Sequence, residues 1–178
     1  MVNREPALSN SDTLIRRALL LLALLFSVLL APAQAAPGTA EPFDAQTWRS
    51  LRQQVDASGK PMLVMFTASW CAVCPGVAKQ LAADKRRQRA GTPLLMVMSD
   101  LSPEELAQHR GHGMHAHAEA DRLLAFDGPE AAIRHAVDPR WRGMVPYIAW
   151  LAPGRAPEFV SGAPDAATLA RWWGGARP

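Results

Sequence analysis

Apolar positions fall into short runs with changing period along most of the chain. Trp48, Leu51 and Val55 lie near helical spacing within 43–57, and Ser58-Gly59-Lys60-Pro61 closes that stretch, so a helix is predicted there. Met62-Leu63-Val64-Met65-Phe66 is apolar throughout and has strand length. Without alternation, such a run predicts a strand covered on both faces. Residues 69–89 read as a turn and then a helix whose inner face carries Val77 and Leu81. Residues 93–98 read as a second buried strand. A strand–helix–strand unit of this size predicts two parallel strands.

The second half breaks into shorter pieces. Ser102-Pro103-Glu104-Glu105 has the form of a capping box with proline at the first helical position, and a short helix should follow to about Gln108. Residues 119–126 and 129–136 read as further short helices, and 145–151 as a strand containing Pro146. Pro153-Gly154 turns the chain, and residues 158–160 should return antiparallel. A terminal helix over 165–173 offers Leu169, Trp172 and Trp173 to the core, where Trp141 is also expected. The sum is an α/β fold: a mixed sheet, helices on both faces, and a helical insertion before the strand that holds Pro146.

The first 35 residues follow a different logic. Arg16 and Arg17 precede a thirteen-residue apolar run, 18–30, broken only by Ser27, and Ala33-Gln34-Ala35 follows. This is the pattern of a secretory signal peptide. The run is shorter than the roughly 20 residues a spanning helix needs; retention of residues 18–30 as an uncleaved anchor is the alternative. Residues 36–42 read as a linker, and 43–178 as the folded domain. The protein is therefore expected outside the cytoplasm, in the periplasm.

Charge adds little. Setting aside residues 1–35 leaves 16 Lys and Arg against 14 Asp and Glu. That balance argues against nucleic acid as a partner. The run Lys85-Arg86-Arg87-Gln88-Arg89 reads as a helix end, where cations complement the macrodipole.

Both cysteines, Cys71 and Cys74, fall in one CxxC. A pair this close cannot join distant elements, and closing so small a loop removes little chain entropy. Reactivity is the better account. A buried strand leads into the motif and a helix leaves it. A thiol at a helix start meets unsatisfied N–H groups, which favour the nucleophilic thiolate. Cys71, at the start, should attack a disulfide; Cys74, one turn deeper, should resolve the mixed disulfide. Half of a zinc site is the competing reading, but the next ligand, His109, lies 35 positions beyond Cys74.

The stretch from Lys60 to Cys74 resembles the active-site strand and turn of thioredoxin-like proteins, especially the exported TlpA-like reductases. Gly143-Met144-Val145-Pro146-Tyr147 resembles the cis-proline loop of that family, and Pro153-Gly154, Gly162 and the last helix resemble its closing hairpin and helix. The resemblance implies an exported thiol–disulfide oxidoreductase that reduces protein disulfides and needs no cofactor beyond the Cys71–Cys74 pair. Cytochrome c assembly and metal-site thiols are implied client classes, and a membrane thiol conduit an implied electron donor. It also implies that Trp70, Val145 and Pro146 bind the client, with Val145-Pro146 cis and facing the dithiol. Oxidase or isomerase work is the alternative direction. Two positions depart from the pattern. Met65 stands where many thioredoxins carry a buried acid, and Pro75-Gly76 directly follows Cys74.

His109 to His117 holds four of the five histidines. Imidazole suits copper and zinc, and a thioether adds Cu(I) affinity. His112, Met114, His115 and His117 are thus candidate copper ligands, and copper binding or delivery a further function. A solvated loop without tuned geometry is the plainer reading of the same residues.

Overall fold

The computed structural model describes residues 40–109 and 119–174. Glu41–Phe43 (β1) leads into the helix Ala45–Ser58 (α1), and Met62–Thr67 (β2) follows. Next come the helices Cys74–Ala83 (α2) and Lys85–Ala90 (α3), the strand Leu94–Met98 (β3) and the helix Pro103–His109 (α4). The chain continues through Arg122–Phe126 (β4), Glu130–Val137 (α5), Tyr147–Leu151 (β5), Glu158–Ser161 (β6) and Ala166–Gly174 (α6). The six strands form one sheet in the order β1-β4-β3-β2-β5-β6. β2 pairs parallel with β3 and antiparallel with β5, so the sheet is mixed.

All six residues of β2 are buried, as its unbroken apolar run requires. Its odd and even positions serve opposite faces. Met62, Val64 and Phe66 pack with Trp48, Leu51 and Val55 of α1 and with Ile133 and Val137 of α5. Leu63 and Met65 pack on the other face with Val77, Ala78 and Leu81 of α2 and with Leu169 and Trp172 of α6. Helices thus cover both faces.

Local signals set most boundaries. Asp44 caps α1 by accepting from the Thr47 N–H at 2.7 Å, and Gly59 ends it with φ at 66°. Ser102 and Glu105 form the reciprocal capping box of α4: the Ser102 N–H donates to Glu105 at 2.7 Å, and the Glu105 N–H to Ser102 Oγ at 3.2 Å.

Three expectations change. Residues 122–126, expected as helix, form β4, which pairs parallel with both β3 and β1. Leu124, Ala125 and Phe126 are all buried there, and sheet pairing outweighs the helix propensity of Arg, Leu and Ala. The stretch before the Pro146 strand is therefore not purely helical. Glu41 and Pro42, read as the end of a linker, belong to β1; Glu41 also pairs with Arg122 of β4. The helix expected through 89 breaks at Asp84, whose extended backbone and side chain cap α3 by accepting from the Arg86 and Arg87 N–H groups. The basic run is consequently not all solvated. Arg87 reaches Asp121 at 3.1 Å and the Thr92 carbonyl at 2.7 Å.

The segment before Pro146 is anchored in the core. Trp141 stacks on Tyr147 with centroids 4.9 Å apart, and its indole N–H donates to the Met144 carbonyl at 2.8 Å. Tyr147 Oη donates at 2.7 Å to Asp138, a carboxylate only 3% exposed. Burial raises the Asp138 pKa, but the Arg140 and Tyr147 hydrogen bonds and the Arg140 charge outweigh it, so the net direction is down. A depressed folded pKa gives stability that is present above the unfolded value and is lost as pH falls through the folded one. Asp138→Asn should therefore cost about 1–3 kcal/mol at pH 7. In urea unfolding, that deficit should shrink below about pH 4; a constant deficit would exclude a role for the carboxylate charge.

Candidate functional site

β2 ends at Thr67, and a tight turn carries the chain to the cysteines. The Cys71 N–H donates to the Ala68 carbonyl at 3.1 Å, and the Cys74 N–H to the Cys71 carbonyl at 3.2 Å. Cys71 and Cys74 form a disulfide with an S–S distance of 2.05 Å. Cys74 is the first residue of α2, with Pro75 in the first turn, where a missing N–H is tolerated. Pro75 therefore leaves α2 unkinked at its start. Cys71, expected at the helix start with Cys74 one turn deeper, lies three residues ahead of the helix, and Cys74 itself takes the first helical position. Cys71 is 7% exposed and Cys74 is 1% exposed.

The turn is also tied to the end of β3. The Ser99 N–H and Oγ both donate to the Thr67 carbonyl at 2.9 Å. The Ser69 N–H lies 3.0 Å from each Asp100 oxygen, and Ser69 Oγ donates to Asp100 Oδ2 at 2.5 Å.

Pro146 approaches from the other edge of β2. In the antiparallel register Tyr147 lies opposite Phe66, which places Val145 and Pro146 beside the turn that leads to Cys71. The Val145–Pro146 peptide is cis. Val145 packs against the cluster that contains both cysteines. Its N–H and C=O have no hydrogen-bond partner among the described residues, whereas the Pro146 carbonyl accepts from the Gly162 N–H at 2.8 Å. Gly143, with φ at 88°, supplies the left-handed turn that precedes Met144.

Large apolar side chains left exposed among the described residues are Trp70 (68%), Val73 (64%) and Met144 (65%). All three flank the disulfide or the Val145–Pro146 segment. The resemblance implies a client-binding role for Trp70 but none for Val73 or Met144. Their signal was positional, an apolar residue inside the CxxC and another two places before Pro146. Asp100 and Ser69 were missed because 31 residues separate them.

Met65 is fully buried in the cluster with both cysteines. The buried carboxylate among the described residues, Asp138, bonds Tyr147, which packs on the opposite face of the sheet. No described carboxylate therefore takes the place that Met65 fills. The proposed copper ligands His112, Met114, His115 and His117 lie outside the described residues, and so does the apolar run 18–30. No group of His, Cys, Asp and Glu that could hold a metal ion occurs among the described residues. No helix among them is long and apolar enough to cross a membrane.

No protein-family model matches the chain, and no curated protein does. Solved structures do. A secreted Mycobacterium tuberculosis disulfide oxidoreductase, homologous to E. coli DsbE, is 16% identical, with 67% of this chain and 85% of that chain covered and a TM-score of 0.45. An exposed lipoprotein thioredoxin of Streptococcus pneumoniae is 15% identical over 70% of this chain and 89% of that one, with a TM-score of 0.47. The N-terminal domain of PilB from Neisseria gonorrhoeae is 17% identical over 72% and 94%, with a TM-score of 0.46.

The arrangement is the one that the resemblance to thioredoxin-like proteins implies. Its central strand runs into a CxxC at a helix start, and a cis-proline segment lies alongside.

The difference in exposure gives a direct test of the two thiols. In the reduced protein, iodoacetamide should label Cys71 roughly tenfold faster than Cys74, because Cys71 is the less buried of the two thiols, at 7% against 1% exposed. Peptide mapping by mass spectrometry reads the order; faster labelling of Cys74 would reverse the assignment.

Proposed function

We propose that this protein is an exported thiol–disulfide oxidoreductase that reduces disulfides in client proteins. The observation that carries the proposal is the Cys71–Cys74 disulfide at the head of α2, ringed by exposed Trp70, Val73 and Met144. Export rests on the apolar run 18–30 and the Ala33-x-Ala35 signal.

In the working direction the protein begins as the dithiol. The Cys71 thiolate attacks one sulfur of a client disulfide, and the other client sulfur leaves as a thiolate. Cys74 then loses its proton and attacks Cys71 Sγ. The Cys71–Cys74 disulfide closes and the second client thiol is released. Two electrons pass to the client, and a thiol donor must supply two more before the next cycle. A membrane thiol conduit would meet that need, as the family resemblance implies.

Direction depends on how far the site stabilises a thiolate. Here the support for reduction is the lack of stabilising groups. Cys74 is packed among Met65, Val77, Ala78 and Leu81, and apolar surroundings disfavour its charged form. Water is left as the acceptor of its proton. A weakly stabilised thiolate lowers the reduction potential, which favours giving electrons away.

The apolar rim indicates the shape of the client. A segment with apolar residues beside its cysteine covers Trp70, Val73 and Met144. The unpartnered Val145 N–H and C=O can pair with an extended backbone, as in strand addition. Cytochrome c precursors and proteins with metal-site thiols are the client classes that the family resemblance implies.

Cys74→Ser should trap mixed disulfides through Cys71, detected as reducible adducts on gels; equal trapping by Cys71→Ser would undo the assignment of roles. Equilibration with glutathione should give a potential well below that of a strong oxidant, and a value near about −120 mV would overturn the reducing direction. Trp70→Ala with Met144→Ser should slow reduction of a protein client severalfold while leaving that potential unchanged.

A further inference from the structure

The function proposed above does not explain why the turn before Cys71 is bound to a carboxylate. Ser69 spends both its N–H and its hydroxyl on Asp100, at 3.0, 3.0 and 2.5 Å. Asp100 is itself exposed, so the bonds are not needed to satisfy a buried charge. Ser99, next to Asp100, adds two bonds to the carbonyl of Thr67, two residues before Ser69. Together these contacts fix the exit of β2 to the exit of β3.

The same contacts bring the Asp100 carboxylate near Cys71. The Cys71 N–H is bonded to the Ala68 carbonyl, whose carbon is joined to the Ser69 nitrogen. Standard backbone dimensions then keep Asp100 within roughly 8 Å of the Cys71 nitrogen. That is within a Debye length at physiological salt. Other charges around Asp100 do not cancel it. Asp127 and Glu130 line the same cleft beyond β3 and β4, and Glu130 is ion-paired with Arg134. Around the thiols, β2 contributes Met65, the turn Ala68 and α2 Val77 and Ala78, and the segment before β5 contributes Val145, all uncharged. Arg142 on that segment is exposed and donates to the Pro139 carbonyl. Arg140 is engaged with Asp138.

We infer that Asp100 is a positioning residue for Cys71: through Ser69 it fixes the turn, and it holds a negative charge close enough to make the Cys71 thiol less acidic. This deepens the oxidoreductase reading and rests on it for its significance. It also opposes the helix start, whose N–H groups favour the thiolate. The balance keeps the dithiol from being the well-stabilised form that marks an oxidant.

The test uses the full chain carrying Cys74→Ser, so that Cys71 alone titrates. The rate of iodoacetamide alkylation is followed against pH at low salt. Asp100→Asn keeps an acceptor for Ser69 but removes the charge, and the midpoint should fall by roughly half a pH unit. Asp100→Glu restores the charge and should bring the midpoint back. An Asp100→Asn midpoint equal to that of the parent overturns the inference, as does a fall that Asp100→Glu does not reverse. A merely structural latch would move the melting temperature but not this midpoint. No client takes part in the measurement, so its failure is separate from failure of the trapping experiment.

Discussion

The structure depends on the burial of β2. Met62 to Thr67 are covered on both faces and hydrogen-bonded on both edges, to β3 and to β5. A strand so enclosed has no freedom in register, because a shift of one residue would exchange its two buried faces. Its end is therefore fixed in space, and the chain leaves it at one point. The cysteines, the Ser69–Asp100 contact and the Val145–Pro146 segment all take their positions from that exit. Chemistry at the carboxyl ends of sheet strands is a general habit of α/β proteins, for this reason among others.

Much of this was legible in the residues. The unbroken run 62–66 predicts a strand buried on both faces, and the capping signal at Ser102 starts a helix where it stands. The CxxC is local by nature, so its place at a helix start could be read from its flanks. What could not be read were features made by distant pairings. Arg122 to Phe126 becomes a strand because β3 and β1 lie on either side to receive it. Nothing within those five residues separates that outcome from a helix. Asp84 breaks a helix because its carboxylate accepts two N–H groups, a competition that spacing alone does not weigh.

The site shows the same division. Cys71 and Cys74 were legible because their chemistry and their spacing are one signal. Pro146 was legible by resemblance, and the register of β5 on β2 places it beside the turn. Met144 and Val73 matter through exposure, which depends on everything that packs beneath them. Beneath Met144 lies a chain of contacts from Trp141 to Tyr147 to Asp138, so the displayed side chain is held by the core rather than by its own loop.

The two outer strands have a consequence of their own. β1 has three residues, one of them Pro42, and β6 has four. Short outer strands, and proline within one, offer little template for another chain to extend the sheet. Under the proposed function, the clients are extended, cysteine-bearing segments, chains ready to do so. With its flanks blunted, the protein can offer an open backbone at Val145, beside the disulfide, without inviting its clients, or other copies of itself, to join the sheet elsewhere.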